Sequence, residues 1–312
     1  AKDLLTLDSK TSVTVDATAI TDISGTVAEI NKLLAADVDV DATAVNYDLS
    51  GTVKAADAST IASKTLGVVT ANNIAADTAA NLDANLRDSN GGANVYKLTV
   101  NGATASAANL ASLATKANAS AANTIKVDAK EITGTLADLK LVLDTNKAKY
   151  SNTGNKNVKI SDAVGSADIG DLNTILAATS SIVTATVGTA DATTLKGITG
   201  ATTGKDALTL VTNDSAASAA DLLALDAMTS VKVNATAITT NGINGNAAQL
   251  KQLVAAKGVE LAKAVAITVT GATNASDLAA ILKATTGIVK ATVNADTAAK
   301  LNAALKDANN GD

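Results

Sequence analysis

The sequence predicts an α/β solenoid of about twelve strand–helix units, with a parallel sheet on one face and helices on the other. Three observations lead there. The chain repeats itself, its hydrophobic period alternates between 3.6 and 2 inside each repeat, and its composition suits thin layers. Hydrophobic residues make up 47% of the 312 positions, yet Phe and Trp are absent and Tyr occurs three times. A thick core needs aromatic volume, so Leu, Ile, Val and Ala must close a thin one. The absence of Pro agrees with a densely paired backbone.

The repeat is read directly. Asp3-Leu4-Leu5-Thr6-Leu7-Asp8 returns as Asp221-Leu222-Leu223-Ala224-Leu225-Asp226, and Val13-Thr14-Val15 returns as Val231-Lys232-Val233. Ile175-Leu176-Ala177 and the residues after it match Ile281-Leu282-Lys283 and its continuation. Residues 1–312 therefore form one repeat solenoid in three blocks, 1–106, 107–218 and 219–312, each of about four units of roughly 26 residues. The opening residues already lie inside the pattern, so the chain reads as a mature product or as a piece cut from something longer.

Within the units, Val27, Ile30, Leu33 and Leu34 share one helical face after Gly25-Thr26, as do Leu250, Leu253 and Val254. Leu278, Ile281 and Leu282 repeat that face, with Ser276 placed as N-cap and Gly287 as the left-handed stop. Short alternating strands are predicted around Ile125 and Val127, Leu208 and Leu210, Val231 and Val233, and Ile267 and Val269. Thr on the intervening positions follows its strand propensity. A strand followed by a helix, repeated, implies parallel strands with helical crossovers. Doubly wound sheets and closed barrels cover both strand faces and read as continuous apolar runs. Alternation with polar residues favours the solenoid instead.

Composition also bounds the chemistry. With no His and no Cys, there is no imidazole base, no thiolate nucleophile, and no zinc site built on either. The net charge is -5 and Arg87 is the single arginine, which argues against a nucleic-acid backbone as partner. No apolar run approaches the roughly 20 residues that span a bilayer. One metal candidate stands out. In Asp37-Val38-Asp39-Val40-Asp41, strand alternation sets Asp37, Asp39 and Asp41 on one face, where carboxylate oxygens would hold calcium. No other cofactor is indicated. No Ser or Lys stands in a recognisable nucleophile context, so the chain reads as a non-enzyme.

The run Val13-Thr14-Val15-Asp16-Ala17-Thr18-Ala19-Ile20, followed by Ile23-Ser24-Gly25-Thr26-Val27-Ala28-Glu29-Ile30-Asn31, resembles the Ala/Thr-rich repeats of very large secreted bacterial proteins. Such repeats are frequent in cyanobacteria and in calcium-associated surface or S-layer-like proteins. The resemblance implies an extracellular or cell-surface location and a structural role in a filament, sheath or surface layer. Its partners would be copies of itself, joined end to end or laterally, or further repeats of a longer chain. The alternative is an adhesin stalk or glycan-binding module, which calls for exposed aromatic rings.

Overall fold

A computed structural model describes residues 1–36, 38–40, 45–87, 93–201, 205–306, 308 and 312. The chain is α/β, with short parallel strands and twelve α-helices among the described residues. Its contacts group into two compact units. One comprises Ala1–Lys159 with Ala178–Ser181, the other Ile160–Ala177 with Ile182–Asp312.

In the first unit the strands Asp22–Thr26, Asn46–Ser50, Val69–Ala71 and Val95–Tyr96 lie side by side in parallel. A second ladder joins Thr99–Val100, Ile125–Val127 and Tyr150–Ser151, and shorter pairs join Val15–Asp16 to Val38–Asp39 and Thr104–Ser106 to Glu131–Gly134. In the second unit the longest ladder is Ala217–Ser218, Ile243–Gly245, Ile267–Thr273 and Val289–Val293. Val233–Ala235 pairs with Val259–Leu261, and Val183–Val187 with Ala207–Thr209. Each strand meets the next turn of chain at a nearly constant step. Tyr47 pairs with Val69, 22 residues on, and Thr99 with Lys126, 27 residues on.

The expected single sheet along one face is corrected here. Pairing is divided among several small sheets, because two short strands fall between many successive helices. Between the helices Ala219–Met228 and Ala247–Ala255 lie Val233–Ala235 and Ile243–Gly245, which belong to different ladders. The bend at Gly242, with φ near +70°, separates the two strands.

Several strands run into helices without a loop. Ser106 ends one strand, and its hydroxyl accepts the Asn109 N–H that opens the helix Ala107–Lys116; Ser218 does the same for Ala219–Met228. Thr26 and Glu29 form a reciprocal capping box, as do Asn246 and Gln249. Helix faces bury the anticipated residues, including Ile30, Leu33, Leu250, Leu253, Leu278 and Ile281. The inward strand residues Ile125, Val127, Leu208, Leu210, Val233 and Ile267 are buried too, whereas Val231 stays 37% exposed.

Two assignments at the helix Ala275–Leu282 change. Asn274, rather than Ser276, is the N-cap: its Oδ1 accepts the Asp277 N–H at 2.8 Å, and Ser276 donates to that same oxygen. Gly287 does not reverse the chain in the left-handed region. A Cβ there would lie 2.4 Å from the Val265 carbonyl oxygen and 2.5 Å from that of Ala264, so Gly is required by close approach to the preceding turn.

Candidate functional site

The recurring constellation in this molecule is a polar joint between successive turns of chain. It follows the motif Thr65-Leu66-Gly67-Val68-Val69, which returns as Thr179-Ser180-Ser181-Ile182-Val183, Thr229-Ser230-Val231-Lys232-Val233 and Thr285-Thr286-Gly287-Ile288-Val289. The leading Thr is buried in these four copies. The Thr65 hydroxyl donates to the Val45 carbonyl at 2.5 Å and accepts the Gly67 N–H at 2.9 Å. Thr285 donates to Val265 at 2.5 Å and accepts from Gly287 at 2.8 Å. Thr179 bridges Lys156 and Ser181 in the same manner, and Thr229 bridges Leu208 and Val231. One hydroxyl thus closes its own turn and ties it to a carbonyl 20 to 23 residues earlier.

A second half completes the joint. The N–H of the fifth motif residue is received by an Asx side chain from the following turn: Val69 by Asn94, Val183 by Asp206 and Val289 by Asp312, at 2.6 to 2.8 Å. Asn94 and Asp206 are fully buried. In the Thr229 copy the Gly258 carbonyl takes this role for Val233. Donors and acceptors are therefore paired where these four short strands begin, which stabilises the turn-to-turn contact there.

Lys–Asp pairs link consecutive helices on the outside. Lys196 pairs with Asp221 and Lys251 with Asp277, while Lys116 Nζ lies 2.7 Å from Asp83 Oδ1. The hydrogen bond from the Lys partner is the main reason that the Asp221 and Asp277 carboxyls lie below the usual range. Asp22 is lowered by the Asn46 amide and then by Thr21. Burial pushes the Tyr150 phenol up to about 12. These shifts carry the groups away from neutrality, the opposite of what proton transfer at neutral pH requires.

The outward strand faces carry shallow recesses. One of about 380 Å³ in the first unit is lined by Asp22, Asn46, Asp48 and Thr70; one of about 400 Å³ in the second is lined by Thr240, Asn241, Thr268 and Lys290. The comparisons decide nothing further: no family model, curated protein or solved structure matches this chain.

Of the three predicted calcium ligands, Asp37 and Asp41 lie outside the described residues. Asp39 is exposed and sits beside Asp16 in the parallel ladder Val15–Asp16 with Val38–Asp39. Among the described residues no three carboxylates are grouped to hold a metal. All three tyrosines are interior, with Tyr47 and Tyr96 at 1% exposure and Tyr150 at 6%, so none presents a ring to a sugar. The joint Thr and Asx residues were missed in the sequence, although the recurrence of Thr-x-(Gly/Ser/Val)-x-Val after several of the helices was there to be found.

Proposed function

We propose that the chain is a non-enzymatic structural repeat segment whose turns stack as a solenoid within each compact unit, serving an extracellular filament, sheath or surface layer. The observation that carries this reading is the recurrence of one joint in both units. A device repeated at every few turns builds a scaffold, whereas a catalytic centre concentrates unlike groups at one place. The likeness to Ala/Thr-rich repeats of large secreted bacterial proteins supports the location. Its partners under this reading are further copies of the chain or further repeats of a longer one, associating end to end or laterally.

Sedimentation velocity and negative-stain electron microscopy of the purified chain, over a concentration series with calcium and with chelator, test self-association. Regular assemblies that grow with concentration are the expected outcome. Particles of one chain at every concentration would overturn it. Assemblies lost under chelator would assign the ion dependence to Asp37, Asp39 and Asp41, to be checked by their Asn variants.

A further inference from the structure

We infer that Asn101–Gly102 is a built-in deamidation site, at which the protein modifies itself without an enzyme. The reaction joins the Gly102 backbone nitrogen to the Asn101 side-chain carbonyl carbon. The carboxamide nitrogen leaves as ammonia, carrying the proton lost by Gly102, and a five-membered imide remains. Water then opens the imide at either carbonyl, giving aspartate or isoaspartate. The attack is fastest where the following residue has no Cβ, and it needs an amide nitrogen free to turn toward the side chain and backbone freedom to close the ring.

Three Asn–Gly pairs fall within the described residues, and they meet these needs unequally. Asn101 and Gly102 are both exposed, in the bend between the strands Thr99–Val100 and Thr104–Ser106. Gly102 has φ near +105°, and its nearest lateral neighbour would be a Thr78 methyl at 3.4 Å. The Asn101 N–H is held by the Asp77 carbonyl at 2.9 Å, but within the described residues neither the Gly102 N–H nor the Asn101 carboxamide is bonded. Asn241–Gly242 is tighter. Gly242 is buried, and a Cβ there would lie 2.2 Å from the Ala266 carbonyl oxygen. Asn244–Gly245 is the most restrained, because Asn244 pairs with Ser218 on one side and Thr268 on the other, and Gly245 pairs with Val269. Imide formation there requires the ladder to open first.

The product at Asn101 adds one negative charge and, as isoaspartate, one extra backbone atom between two strands. That places a slow chemical clock in a turn of a protein read above as a durable structural segment; the chemistry itself does not depend on that reading. The test is incubation of the purified native chain at mildly alkaline pH and body temperature, with peptide mass spectrometry of each site and enzymatic methylation of isoaspartate. Asn101 is expected to convert at least about tenfold faster than Asn244, with Asn241 between them. In denaturant the three rates should converge, which assigns the difference to the fold. Equal rates in the native chain, or Asn101 slower than Asn244, would overturn the inference. So would an unmodified Asn101 in native protein whose denatured form converts readily.

Discussion

Tyr47, Tyr96 and Tyr150 all lie in the unit spanning Ala1–Lys159, whereas the unit from Ile160 onward closes its interior without a single aromatic ring. Both units nevertheless use the same Thr and Asx joint at the same step along the chain. The same hydrogen bonds therefore tie turns together in both units, with and without aromatic volume between them. Aromatic volume brings a cost that the second unit avoids, since a buried phenol needs a partner. Tyr150 finds one in the Leu110 carbonyl at 3.2 Å, while the Tyr47 hydroxyl has none among the described residues.

The strongest challenge to that comparison is truncation. Tyr47→Ala should cost about 3–5 kcal/mol and Leu225→Ala, a fully buried residue of the other unit, about 2–5 kcal/mol, read from urea unfolding. A negligible loss at Tyr47 would mean that the ring fills no space the fold depends on. Next in size, Thr65→Val and Thr285→Val keep the volume and remove the joint's hydroxyl. Each should lose about 1–3 kcal/mol, because a buried carbonyl and an N–H lose their partner. Similar losses in the two units would sharpen the claim of a shared joint, and a loss confined to one unit would break it.

Smaller still, Tyr150→Phe should cost about 0.5–1.5 kcal/mol, whereas Tyr47→Phe should be neutral or stabilising. Reversal of that order would show that the Tyr47 hydroxyl is bonded after all. The smallest effect belongs to the outer ion pairs. Lys196→Met should cost about 0.2–1 kcal/mol, since solvent screens the pair, and the cost should shrink in high salt. The Asp221 carboxyl titrates below its unfolded value in the folded chain. Its contribution is therefore full above the unfolded pKa, declines as pH falls, and is lost once pH passes below the folded value. The wild-type and Lys196→Met unfolding curves should converge in acid; a gap unchanged by acid would remove the pair as its cause.

Much of this architecture was legible from residue spacing. Leu250 and Leu253, or Leu278 and Ile281, could only share a helical face, and all four are buried. Strands of two or three residues were harder, because period-2 alternation over so short a span matches a bend equally well. That is why the second strand between helices, such as Ile243–Gly245, escaped notice. Polar residues misled for a different reason. Exposed Thr268 and buried Thr285 have the same propensity, and only their distance from a carbonyl one turn earlier separates them. Ser276 and Asn274 are both good caps, and the choice fell to whichever oxygen reached the Asp277 N–H. The proposed calcium face was legible as a pattern, but only Asp39 of its three residues falls among those described.

The Thr joint also bears on how such a chain can grow by duplication. Its hydroxyl and the carbonyl that accepts from it, some 20 to 23 residues upstream, are one turn of chain apart. Copying one period that holds a joint Thr would deliver a new hydroxyl one turn downstream of an existing carbonyl. Duplication of such a period would lengthen the array by a whole turn already supplied with its own tie to the turn before.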